Sequence, residues 1–535
     1  MAVTLRVGLA SAFAAASLCL AAPALGQTPG VAPVPIPGDP LSSAPAFEGT
    51  TATPRPVRGA PDPPRHPFMA PNGRSNLHND AYQTDTYRVS GPLGDGPETS
   101  TLFARECASL TFDSQGRIVT VCVGLDMPVL ALMDPHSLQV LAAQPLPPRN
   151  TGGNPFTDFS GGGYFYLDNR DHAIVATSDR RIVDYGIGPG PSFELARSYD
   201  LTGAVAEGDG IISVLPDWKG RLWFVTRHGV VGAVDPASGR VRPLRLTGEG
   251  ISNSFAVDDS GGVYIVSDKA LYRFDAARNG APKKTWRRVY PNSGIHKPGQ
   301  SDAGSGTTPT LIGRKWVAIT DNADPMNVRV LLRTKRLRPT KKAQRRQLRK
   351  TGSVGKRRAL KRRWRLTRRD VCAEAVFPKG GGNTDQSLIA AGGRIVVENN
   401  YGYSGITAVQ GGATTTPGLA RVDVRALKRT KKKVKPGTPK RYRCVEVWTS
   451  EERAPSVVPK LSLGNGLVYT YTKPPSGAGE DPWYFTALDF RTGQTVYRRL
   501  AGGGQAYNNN YAPVTVGPDG TAYVGVLGGL VAFTP

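Results

Sequence analysis

A phrase recurs along this chain: a short apolar strand, a turn of the type Asp-x-x-Gly, and a second apolar strand rich in aromatic and β-branched residues. It reads "LTFDSQGRIVTVCVG" from Leu110, "SVLPDWKGRLWFVTR" from Ser213, "FAVDDSGGVYIVSD" from Phe255 and, in variant form, "VTVGPDGTAYVGVLG" from Val514. Self-similarity at this spacing means units stacked radially or along a solenoid, and period-2 strands joined by Gly turns mark propeller blades. Parsing each unit into four strands predicts an all-β, eight-bladed β-propeller, with seven blades as the alternative. The last unit, from Asn508, offers three strands before Pro535; a strand from the region between Tyr87 and Cys107 would complete it and close the ring, removing the exposed edges of an open sheet.

The ends of the chain read differently. Arg6, the apolar stretch "VGLASAFAAASLCLAA" and the small-x-small site Ala24-Leu25-Gly26 predict a secretory signal peptide over residues 1–26. Bulky Leu18 before Cys19 argues against a lipoprotein. No other stretch has the roughly 18 uninterrupted apolar residues of a membrane helix, so the mature chain is expected to be secreted or extracytoplasmic, with no transmembrane segment. Residues 27–71 are dense in Pro, Ala, Gly and Thr, which predicts a disordered linker and leaves 72–535 for the ring.

Cysteine usage agrees with export. Cys107, Cys122, Cys372 and Cys444 remain after signal removal, and four cysteines permit three pairings. Cys107 and Cys122 are symmetric about the turn at Ser114-Gln115, so a hairpin places them opposite each other and makes them the preferred disulfide. Cys372 and Cys444 begin equivalent strands of neighbouring blades, which can lie farther apart than the roughly 4.4–6.8 Å between Cα atoms that a bridge spans; that pair is the secondary expectation.

The formal net charge of +26 is concentrated in two runs. Residues 329–369 hold 20 Lys or Arg and no acid, and residues 425–443 hold 10 and no acid, so the rest of the chain is slightly acidic. Trp364 and Tyr442 are the only aromatics in these runs, which lack the interleaved aromatics of a single-strand groove; this argues against nucleic acid as the partner. One reading is solvated insertions kept open by their own repulsion. The other is attraction to an anionic cell-envelope surface such as wall polymer or lipid headgroups.

Two resemblances follow from short motifs. In "ALDFRTGQTVY", Ala487, Asp489, Gly493 and Tyr497 have the spacing of the docking motif of PQQ-like, quinoprotein-type propellers, with Tyr497 where that family usually has Trp; "AVDPASGRV" repeats part of it. Some members of that fold class are dehydrogenases holding pyrroloquinoline quinone and calcium, while others are scaffolds without a cofactor. The chain has no vicinal Cys-Cys pair of the kind several such dehydrogenases carry, which argues against PQQ. "ISNSFAVDDSGGVYIVSD", with Asn253, is similar to the Asn-bearing strand of gluconolactonase-type calcium propellers, and implies a metal-dependent hydrolase.

Local catalytic signatures are absent from the sequence. No H-x-x-x-H or H-E-x-x-H occurs, no P-loop, and no G-x-S-x-G elbow. His66 falls in the linker and His136 and His172 in short turns, whereas His78 and His296 sit in polar loops and are the histidines worth mutating. What remains is a set of Asn, Asp, Glu and Tyr clusters in loops joining consecutive blades or second to third strands, two classes that open onto one face. They supply the candidate ligand or metal residues Asn253, Asp321, Asn322, Asp324, Asn383, Asp385, Glu398, Asn399, Asn400, Tyr401, Asn508, Asn509, Asn510 and Tyr511, with "NLHNDAYQTDTY" from Asn76 beside them. Oxygen-rich side chains suit calcium or a sugar-like ligand. Asp321, Glu398, Asn399 and Asn509 are expected to converge as oxygen ligands, with Tyr401 and Tyr511 as stacking walls. The sequence thus predicts a binding or interaction module at the cell envelope with a polar site at the channel mouth. A metal-dependent lactonase or esterase, or a quinoprotein-type oxidoreductase, is the alternative, and whether the protein is an enzyme stays open.

Overall fold

The computed structural model describes residues 29–149, 160–336, 346–355, 369–427, 442–477 and 479–535, with positions 156, 158 and 357. Residues 1–26, read above as a signal peptide, and most of both basic inserts lie outside these residues. Eight antiparallel sheets follow one another around a ring, each contributing four strands from the channel outwards. Blade 1 comprises Glu106–Phe112, Ile118–Val123, Val129–Met133 and Val140–Pro145, and blades 2 to 6 repeat the pattern through Ser450. Blade 7 runs from Lys460–Ser462 to Thr495–Gly503. Blade 8 takes Val514–Val516, Ala522–Val526 and Gly529–Phe533 from the C-terminus and its outer strand, Glu98–Leu102, from near the other end. First and last parts of the chain therefore hydrogen-bond to each other.

The recurring turn has a simple cause. The Asp carboxylate accepts backbone N–H bonds two and four residues on, as Asp217 does from Lys219 (2.8 Å) and Arg221 (3.3 Å), and Asp258 from Ser260 (2.9 Å) and Gly262 (2.8 Å). The following glycines, Gly220 and Gly261, both stand at φ 79, where a side chain would be strained. Second and third strands are buried on both sides between neighbouring blades, as Leu222–Thr226 and Val230–Val234 show. The outer strand Phe193–Asp200 is largely exposed. Each Val, Leu or Phe buried in these interblade layers contributes roughly 1.5–3 kcal/mol. At the motif of blade 7, Asp489 accepts from Arg491 N (2.7 Å) and Thr492 N (3.0 Å), and Gly493 leaves room for Trp448 of blade 6, whose ring lies 2.5 Å from where a Cβ would stand.

Both disulfides are formed. Cys107 and Cys122 are direct cross-strand partners in blade 1. Cys372 and Cys444 join the outer strands of blades 5 and 6 with Cα atoms 5.4 Å apart, inside the bridging range because these two outer strands converge. The basic inserts interrupt the third-to-fourth-strand hairpins of blades 5 and 6, after Leu332 and Ala426, and so emerge beside this bridge on the face that carries the Asp-x-x-Gly turns.

The Pro-rich segment expected as a disordered linker is ordered from residue 29 onwards. Phe47–Gly49 pairs with the outer strand of blade 7, Arg55 and Val57 donate to the carbonyls of Asn465 and Leu463, and His66 stacks edge-on against Trp218 at 4.1 Å. Pro-rich sequence need not be disordered when a ring offers strand edges and turn backbone along its path, and Ile36, Val57 and Met69 bury their side chains there. His66, in the segment expected as a linker, is buried, and desolvation pushes its imidazole down to about 4. Beyond Ala70 the chain turns into the channel. Leu167 donates to Ser75 O, Val257 to Ala81 O, Leu311 to Tyr82 O, Ala390 to Thr84 O and Leu461 to Asp85 O, so residues 75–87 thread past the innermost strands of blades 2, 4, 5, 6 and 7. The ring is plugged by its own N-terminal arm.

Candidate functional site at the channel mouth

The plug is polar and buried, so its groups must find partners. His78 is held by its backbone N–H on Asn76 Oδ1 (2.9 Å), and its Nδ1 lies 3.0 Å from Asp85 Oδ1. Asp85 also receives the ammonium of Lys460, from the innermost strand of blade 7, which donates as well to Leu77 O at 2.7 Å. On the other side of the imidazole, Nε2 lies 3.3 Å from Ser387 Oγ, at the entrance to the first strand of blade 6, and the ring is stacked on Tyr164 with centroids 6.2 Å apart. Burial holds the His78 imidazole below its usual range against the opposing pull of Asp85, so it is neutral at physiological pH. For Asp85, burial pushes the carboxyl up, but Lys460 and His78 prevail and keep it ionised. Asn79, Gln83 and Asp85 all have left-handed backbone, at φ 73, 58 and 55. Asn and Asp tolerate this locally, whereas Gln83 stores strain that the surrounding contacts hold in place.

Leu77 and His78, the tip of the plug, end in a cavity of about 810 Å3 on the face of the blade-connecting loops. Its walls are largely aliphatic: Leu102, Val121, Val123, Ile406, Val458 and Leu527. Polar groups share the lining: Ser387 and Tyr164 touch His78, Asn253 bonds Tyr164, and Asp385, Glu106, Asn510, Arg105, Arg149 and Asp158 complete the set. Tyr164 donates to Asn253 Oδ1 (3.2 Å), and Asn510 Nδ2 donates to Glu106 Oε2 (3.2 Å). Burial pushes Glu106 up to about 8 and Asp385 to about 7, so in this dry site Glu106 is protonated at neutral pH.

The loop residues singled out from sequence divide into two groups. Asn253, Asp385, Asn510 and Tyr511 line the cavity together, with Tyr511 set edge-on to Tyr403 at 5.4 Å. The others are turned into loop structure. Asp321 accepts from Ala323 N, Asn327 N and Asn327 Nδ2 at 2.9–3.2 Å, and Asn322 bonds Asn292, Ile295 and Gln300. Asp324 accepts from Gly380 N (2.7 Å). Asn383, Asn399 and Asn400 tie one loop to its neighbours through Gly381 O, Pro417 O and Gly299 O, and the Tyr401 carbonyl accepts from Thr416. Asn508 accepts from Tyr403 Oη (3.0 Å), and Asn509 donates to Ala512 O (3.0 Å). Glu398 is fully buried against Thr384, and burial drives its carboxyl well above the usual range. His296 meets Gln300 O at the surface of its own loop.

Asp321, Glu398, Asn399 and Asn509 therefore do not converge. Among the described residues no group of three or more His, Cys, Asp or Glu is placed to hold a metal ion. An Asp321 committed to backbone amides and to Asn327 does not fit calcium, and a channel filled by residues 75–87 does not fit a flat quinone at the ring centre. Sequence reasoning did not single out Ser387 or Lys460, which lie 309 residues from His78 and 375 from Asp85. The available signal was the polar segment from Asn76, which holds both His78 and, seven residues on, Asp85.

No known family's sequence signature matches the chain. A protein of Archaeoglobus fulgidus described as uncharacterized is 27% identical over 386 residues, covering 69% of this chain and 69% of its own. Among solved structures, a chain of the mitotic checkpoint complex is 11% identical with a TM-score of 0.36, covering 69% of this chain and 88% of that one. Streptogramin B lyase is 8% identical with a TM-score of 0.35, covering 79% and 91%. At these TM-scores neither likeness carries an argument. The eight-bladed architecture stands on the sheets themselves, and it is consistent with a binding or interaction module. No helix among the described residues is long and apolar enough to cross a membrane.

Proposed function

We propose that this is an exported binding module whose channel-mouth cavity takes a small ligand with an apolar body and one polar end. The cavity carries this reading: about 810 Å3, walls that are largely aliphatic, and a minority of polar groups that includes His78, Ser387 and Glu106 together with the charged Arg105, Arg149 and Asp158, the form that small-molecule sites take. It revises the ligand from sugar-like to mainly apolar, because the Asn and Asp clusters bind their own loops. The opposite face supports attachment to an anionic envelope surface. There a second cleft of about 860 Å3 is lined by Arg170, Arg197, Arg221, Arg240, Arg242 and Arg278, in excess over Asp168, Asp184 and Asp235, on the same side as the roots of both inserts.

Titration with N-phenyl-1-naphthylamine tests the pocket. Wild-type protein is expected to enhance its fluorescence with a Kd on the order of 10 μM. Ala108→Trp, placed on the cavity wall, should weaken binding at least about tenfold. Equal binding by both proteins would refute the pocket.

A further inference from the structure

We propose that Ser387, His78 and Asp85 form a nucleophile, base and orienting carboxylate, and that the cavity hydrolyses carboxylic esters with an apolar acyl or alkyl part. This rests on the cavity being a ligand pocket. The geometry is that of an activated serine: Oγ to Nε2 3.3 Å, Nδ1 to Asp85 Oδ1 3.0 Å, with the base oriented by the third group. Ser387 and His78 both line the cavity, while Asp85 lies behind them, fully buried. Asp85 orients the ring, and in the tautomer that donates Nδ1–H to Asp85 the Nε2 lone pair faces Ser387. Lys460 gives Asp85 a positive partner beside the neutral imidazole, so it remains an anion in the buried channel and can stabilise an imidazolium.

In the acylation step Ser387 Oγ bonds the ester carbonyl carbon as its proton passes to His78 Nε2. The carbonyl carbon to alkoxy oxygen bond then breaks, and His78 returns that proton to the departing alcohol. Water attacks the acyl-serine, giving one proton to His78. The carbon to Oγ bond breaks, His78 reprotonates Oγ, and the carboxylic acid leaves. Asp85 touches no reacting atom and acts as a positioning residue. The charged and titratable groups facing His78 are Asp85 and Lys460, with Asp80 behind them and Tyr164 and Asp385 across the cavity end.

An alkyl fluorophosphonate, with p-nitrophenyl hexanoate as substrate, tests the proposal. Peptide mapping should find one adduct on Ser387, fluoride having left. Ser387→Ala, checked as folded by circular dichroism, should lose both adduct and hydrolysis. His78→Gln should slow labelling at least about 100-fold. Should His78→Gln fail to fold, Ser387→Cys replaces it, and its alkylation by iodoacetamide at neutral pH is expected to outpace that of free cysteine. Asp85→Asn should shift the midpoint of the labelling pH profile, which loss of packing alone would not do. Absence of an adduct on Ser387 in protein that binds N-phenyl-1-naphthylamine, or hydrolysis undiminished in Ser387→Ala, overturns the triad and leaves the pocket standing. Absence of dye binding removes the pocket itself.

Discussion

Glu106 illustrates what burial does to a single side chain here. It has one hydrogen bond, from Asn510, and its proton is retained up to about pH 8. A carboxyl whose folded pKa is raised stabilises the fold fully below its ordinary range, near 4.5, and that contribution is lost as pH rises through about 8. Glu106→Gln keeps an acceptor for Asn510 and removes the titration. It is expected to melt close to wild type at pH 5 and roughly 1–3 °C higher at pH 8.5, measured by circular dichroism. A variant with the same pH dependence as wild type would show that Glu106 does not titrate in the window. Asp217 shows the opposite case, an acceptor with every lone pair engaged: besides the two turn amides it binds Arg221 Nε (2.9 Å) and Trp223 Nε1 (2.9 Å), and Trp223 is fully buried. Asp217→Ala removes a turn cap and leaves an indole N–H without a partner, for a combined loss of about 3 kcal/mol in urea denaturation, with Asp217→Asn losing less. A loss below about 1 kcal/mol would mean that the turn is set by Gly220 alone.

Among the elements, the hairpins were the most legible part of the chain. Strand period is local, so "RLWFVTR" and "GVVGAVD" are readable as a paired second and third strand without knowing what lies beside them, and Leu222–Thr226 and Val230–Val234 do pair. The missing outer strand of blade 8 was equally legible, because an open sheet edge demands a partner and Glu98–Leu102 supplies it. The N-terminal arm was not. Its composition lacks periodicity, and its order comes from surfaces that exist only once the ring has closed. Thr86–Tyr87 pairs in parallel with Lys460–Ser462, and no feature of either segment announces the other.

For the whole molecule, the two faces divide the chemistry. Turns, third-to-fourth-strand hairpins, the arginine-lined cleft and the insert roots share one face, and the connecting loops and the apolar cavity share the other. Both inserts leave from neighbouring blades stapled by Cys372–Cys444, which would gather their charge into one cationic brush. Deleting 335–368 and 428–441 is expected to leave the melting temperature within about 2 °C. The same deletion should abolish salt-sensitive retention on anionic vesicles or cell walls, an interaction screened within about 10 Å at 0.1 M salt. Retention unchanged by the deletion would return the inserts to solvated loops.

By itself the sequence determined the four-stranded repeat, the need for a closing strand and the face on which each loop class opens, and it ranked eight blades over seven and Cys107–Cys122 first among the pairings. All of these follow from local periodicity, turn chemistry and the alternation of strand direction. The tertiary structure decided what fills the channel and which loop residues face a ligand. Asp321, Asn399 and Asn509 looked like ligands because Asn and Asp serve a loop's own backbone as readily as a guest, and only the folded loop shows which use prevails. Ser387, His78 and Asp85 come together from separate segments because the arm is drawn through the closed ring, a contact fixed by the burial of a polar segment that must find partners.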